Sequence, residues 1–98
     1  MKNQNEFAKA FRKIRRARGL TQEDFYDDSG RTYISELERG LKNPTLTKID
    51  QLARPLNVHP LTTLALSYLK NDTPAALEKL LETVRREANE ILALYDKS

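Results

Sequence analysis

Apolar residues recur at helical spacing along nearly the whole chain. Phe7, Ala10, Phe11 and Ile14 step by three and four, the stripe of an amphipathic helix over residues 6–18. Its other face carries Lys9, Arg12, Lys13, Arg16 and Arg18, and Gly19-Leu20 ends it with an apolar residue returned to the core. Residues 21–40 read as two short helices meeting at a turn. Thr21 is a suitable N-cap with Asp24 placed to reach back to it, and Phe25 is the residue that short helix can bury. Ser29-Gly30 breaks the pattern where a sharp corner needs positive φ. The next helix puts Ile34 and Leu37 on one face and closes at Gly40, just after Arg39.

Beyond a turn at Asn43-Pro44, a helix over residues 46–56 is expected to bury Leu46, Ile49, Leu52, Ala53 and Leu56. Pro55 is expected to kink or shorten its last turn. A fifth helix opens at His59-Pro60, with His59 read as a capping or surface residue, and carries Leu61, Leu64, Ala65, Tyr68 and Leu69 to about residue 70. Thr73 and Pro74 then start a sixth, over residues 74–96. On it Leu77, Leu81, Val84, Ala88, Ile91 and Tyr95 step by four and three, and Leu80 and Leu94 widen the stripe. Three heptads are marginal as a free helix, so this stripe needs cover. A homodimer interface through these six residues, with Tyr68 and Leu69 added, is the expected cover. Packing within the subunit or against another protein are the alternatives. Residues 1–5 are polar and expected to fray. The fold class is all-α.

Four stretches carry a resemblance: Thr21-Gln22-Glu23, Tyr33-Ile34-Ser35, Leu37-Glu38-Arg39-Gly40 and Asn43-Pro44-Thr45-Leu46. In this order they resemble the helix-turn-helix of the Cro and phage-repressor (Xre) family, and with their flanks they cover roughly residues 7–69. The resemblance implies a five-helix DNA-binding domain over residues 6–70, to which the helix of residues 74–96 is an addition; its dimerisation role is read from its apolar stripe. Two departures stand out. Ile34 and Leu37 arrive two residues early, and the bulky Tyr26 takes the place usually held by Ala, so the corner between the two helices is shortened.

A recognition helix meets base edges in the major groove with its first turn. With Ile34 and Leu37 turned inward, the base-reading side is Arg31, Thr32, Ser35 and Glu36. Arg31 suits bidentate bonding to guanine, Thr32 offers a methyl to thymine, and Glu36 either accepts from cytosine or orients Arg31 or Arg39. The helix dipole disfavours a cation at this end, which gives Arg31 the character of a functional residue. The resemblance implies that Gln22 touches a phosphate and buttresses the recognition helix. Lys42 and Asn43 are similarly placed, and Tyr33 offers its hydroxyl to a phosphate or serves as a half-buried structural residue. The resemblance further implies that Glu38 forms a structural ion pair with Arg15 rather than reading sequence.

Composition narrows the choice. The 98 residues make one small domain with a formal net charge of +3, unevenly placed. Residues 1–70 hold 13 Lys/Arg against 8 Asp/Glu, and residues 71–98 hold 4 against 6, a basic body and a mildly acidic tail. Glu23 and Asp24 suit a helix start, whereas Asp27 and Asp28 must face away from a duplex or mark a protein contact. The chain has no Cys and one His, which leaves no disulfide and no metal cluster, and no cofactor is implied. No apolar run approaches the ~18 residues of a membrane span, so a cytoplasmic protein is expected. No phosphate-binding Gly loop or catalytic set is present, and the reading is not an enzyme. The function expected is a homodimeric repressor on a palindromic operator of double-stranded DNA. A toxin-binding antitoxin and a protein-interaction module on the same fold are the alternatives.

Overall fold

The computed structural model describes residues 6–97, and among them every regular element is helical. Helix α1 spans Phe7–Ala17. A 3₁₀ turn at Gln22–Phe25 runs into α2, Tyr26–Ser29. Then come α3 (Arg31–Glu38), α4 (Leu46–Leu56), α5 (Pro60–Ser67) and α6 (Pro74–Lys97). The chain divides into two compact units, residues 1–68 and residues 69–98. The fraying expected of residues 1–5 lies outside the described residues.

One core organises the first unit. Phe7, Phe11 and Ile14 of α1 meet Phe25, Ile34 and Leu37, and α4 closes the cluster with Ile49, Leu52 and Leu56. Phe11 is wholly buried at the centre, its ring edge-on to Phe25 at 5.1 Å between centroids. A side chain of this kind contributes about 1.5–3 kcal/mol on burial, so α1 is the element the others gather on.

Helix ends fix where each segment turns. Gly19 at φ +70° closes α1: its N–H donates to the Arg16 carbonyl (3.0 Å), and the Leu20 N–H donates to that of Arg15 (3.0 Å). The same pair of bonds ends α3 around Gly40 and α4 around Asn57, whose left-handed φ of 56° suits its short polar side chain. At its start α4 is capped by Thr45, whose Oγ1 accepts the Lys48 N–H at 3.1 Å. His59 caps α5 by accepting the Leu61 N–H at Nδ1, 3.0 Å. Thr73 Oγ1 accepts the Ala76 N–H at the start of α6, as its sequence suggests.

Several expectations are corrected. Leu46 is exposed rather than part of the core, because periodicity sets a residue's angle about a helix and not its depth along it. Pro55 does not cut α4 short; it forfeits one amide bond, and the helix runs on to Leu56 before closing. Helix α5 stops at Ser67 rather than near residue 70, and Leu61 is exposed. Its buried positions are polar instead: Thr63 Oγ1 donates to the Pro60 carbonyl and Ser67 Oγ to that of Thr63, both at 2.6 Å. With both hydroxyls satisfied inside their own helix, burying them carries little penalty.

Candidate nucleic-acid interface

Helix α3 is held from its inner side. Ile34 and Leu37 are fully buried, which leaves Arg31 and Thr32 exposed in its first turn and Tyr33, Ser35 and Glu36 half-buried. Neither Arg31 nor Arg39 has an ion-pair partner among the described residues. Glu36 instead pairs with Lys42 at 3.5 Å, across the turn that ends the helix. Lys42 and Asn43 are both exposed in the loop that follows.

The far end of α3 is fixed by a buried ion pair. Arg15 of α1 meets Glu38 with both forks, Nε to Oε2 at 2.6 Å and the second nitrogen to Oε1 at 2.9 Å. A third guanidinium nitrogen donates to the Leu20 carbonyl at 3.0 Å. The Glu38 carboxylate raises the Arg15 pKa further, against the opposing effect of burial. Gln22 completes the arrangement, its Nε2 donating to Glu38 Oε1 at 3.2 Å. One carboxylate therefore ties together α1, the 3₁₀ turn and α3. Such a pair is worth little against an apolar substitute, but stripping one partner costs about 3–5 kcal/mol through the charge left behind.

The near end is the shortened corner. Gly30 alone separates α2 from α3, at φ +82° and ψ 152°, a region open to glycine and strained for any residue with a Cβ. The first helix of the motif is correspondingly compact, a 3₁₀ turn followed by one α turn, with Tyr26 half-buried against the core. At its start the Thr21 N–H donates to Asp24 Oδ2 at 2.7 Å. Asp27 and Asp28 are exposed. Lys48 of α4, which sequence reasoning passed over, reaches this corner. Its ammonium donates to Ser29 Oγ at 2.7 Å and stands 4.7 Å from the centroid of the Tyr33 ring. No periodicity or motif in the sequence joins Lys48 to Tyr33, so only the fold reveals the contact. Burial raises the pKa of the Tyr33 phenol.

The two short helices with a glycine corner, braced by an Arg–Glu pair, have a counterpart among known families: the helix-turn-helix family matches residues 11–62, from within α1 to the first turn of α5. The chain belongs to that family. The resemblance to Cro and phage repressors drawn from the motifs thereby holds, and the family is one of DNA-binding regulators rather than enzymes. Among curated proteins, the uncharacterized HTH-type transcriptional regulator y4dJ of Sinorhizobium fredii is 46% identical over 50 residues, 49% of this chain and 65% of its own length. The chain thus matches just under two thirds of that relative's length. No solved structure matches the chain at a significant level.

The remaining expected residues lie outside the helix-turn-helix. Tyr68 is exposed just past α5 and Leu69 is half-buried. Along α6, Leu77 is half-buried and Leu81, Val84, Ala88, Ile91 and Tyr95 are exposed. Among the described residues no cluster of His, Cys, Asp and Glu is arranged to hold a metal ion. None of their helices is long and apolar enough to cross a membrane.

Proposed function

We propose that this protein is a DNA-binding transcriptional regulator, a cytoplasmic homodimeric repressor that places α3 of each subunit in the major groove of a palindromic operator. The observation that carries the reading is the division of α3: Ile34 and Leu37 buried, Arg31 and Thr32 open in its first turn. Arg31 reads guanine through O6 and N7, Thr32 packs on a thymine methyl, and Ser35 and Glu36 flank them one turn on. Gln22, Tyr33, Lys42 and Asn43 hold phosphates and set the register. Residues 6–70 form the DNA-binding domain, and residues 74–96 join two copies through Leu77, Leu81, Val84, Ala88, Ile91 and Tyr95, with Tyr68 and Leu69. Two such helices then meet half-sites about one helical turn apart. The name of the S. fredii relative, an HTH-type transcriptional regulator, supports the reading.

Selection of bound duplexes from a random pool tests it, with wild type and Arg31→Ala run side by side. The wild type is expected to enrich a two-fold symmetric sequence. The variant is expected to lose about 1–3 kcal/mol per half-site and to relax at one base position. A loss spread evenly over all positions would make Arg31 a phosphate contact, and a wild type that enriches nothing would end the reading.

A further inference from the structure

Lys48 has no place in the contacts proposed above, yet its surroundings are specific. It stands in the first turn of α4, its backbone held by the Thr45 cap. Its ammonium donates to Ser29 Oγ at 2.7 Å and faces the Tyr33 ring at 4.7 Å. Ser29 is the last residue of α2 and Tyr33 lies in the first turn of α3. A single cation from a third helix therefore grips both sides of the corner.

The corner has reason to need such a grip. Gly30 is its sole residue, and glycine has the widest choice of φ and ψ. Two backbone bonds restrain it, from the Gly30 N–H to the Tyr26 carbonyl at 2.8 Å and from the Ile34 N–H to the Gly30 carbonyl at 3.2 Å. Both run along single helices, and neither links α2 and α3 to α4. Rotation about Gly30 swings the first turn of α3, the turn that carries Arg31 and Thr32. We propose that Lys48 is a positioning residue for the recognition helix: by clasping Ser29 and the Tyr33 ring it fixes the direction in which α3 leaves the one-residue corner. The consequence for DNA rests on the function proposed above, but the clasp itself does not.

The test has one arm in the free protein and one on DNA, using Lys48→Met, Lys48→Arg and Ser29→Ala. In the free protein, Lys48→Met is expected to speed amide hydrogen exchange at Gly30 and Ile34 by about tenfold while the amides of α1 hold, the scale of a charge-assisted bond plus a cation–π contact. Ser29→Ala should act in the same direction but less, and Lys48→Arg should restore protection. On DNA, Lys48→Met is expected to lower the ratio of operator to random-duplex affinity by about tenfold with the salt slope unchanged. Unchanged exchange at Gly30 and Ile34, or an equal rise throughout α1, would overturn the proposal. A salt slope reduced by about one with an intact ratio would overturn it too, by making Lys48 a phosphate contact. If exchange responds as expected but the wild type does not distinguish operator from random duplex, the clasp stands and the DNA-binding reading falls.

Discussion

Helices α1 and α6 follow the same rule of sequence and meet different fates. Each sets an apolar residue every third or fourth position on an otherwise charged helix. In α1, Phe7, Ala10, Phe11 and Ile14 are all at most 7% exposed. In α6, Leu81, Val84, Ile91 and Tyr95 are 49–77% exposed. Periodicity thus names the face that needs cover without naming the cover. For α1 the cover is Phe25, the inner side of α3 and the partly buried residues of α5. For α6 we propose the α6 of a second copy.

Two measurements probe this contrast, and a third applies the same question of cover to α3. The largest effect is expected in α1, where Phe11→Ala removes the ring at the centre of the core. Denaturant unfolding should show about 3–5 kcal/mol of lost stability. A loss under 1 kcal/mol would mean that α1 is not the organising element. On α6, Leu81→Asp combined with Ile91→Asp puts two charges in the proposed seam. Sedimentation should report conversion from dimer to monomer, while the residue 1–68 unit keeps its stability to within ~0.5 kcal/mol, as surface changes do. A pair of charges that leaves the dimer intact would move the interface elsewhere.

The smallest effect concerns Tyr33, which sits between the buried and exposed sides of α3. Burial favours its neutral phenol, so its folded pKa lies above the usual 10.0. Its contribution to stability is then complete below pH 10.0 and fades as pH rises through the raised value. In a spectroscopic titration of the tyrosines, the signal lost in Tyr33→Phe should be a late-titrating one. If that signal titrates with the others, Tyr33 is more open than its surroundings imply.

Sequence reading found what depends on angular position and on local stereochemistry. The α1 stripe, the inward pair Ile34 and Leu37, the glycine stops and the Thr73 start are all of this kind. The Arg15–Glu38 pair came from resemblance, since 23 residues separate its members and no local rule joins them. What escaped depends on depth or on contacts between distant segments. Leu46 keeps the right angle and lies outside the core. Thr63 and Ser67 look like surface residues until their hydroxyls are seen bonded within α5. Lys48 reads as one more solvated cation until α4 is laid across the corner. The shortened corner was apparent from the spacing, but that a lone glycine makes it was not.

The ion pair at the far end of α3 also bears on how readily a regulator of the proposed kind acquires new targets. Its anchorage (Ile34, Leu37 and the Glu38 carboxylate) shares no residue with the outward pair Arg31 and Thr32. On the function proposed above, substitutions at those two positions leave that anchorage untouched, so drift toward a different operator need not pass through a misfolded intermediate.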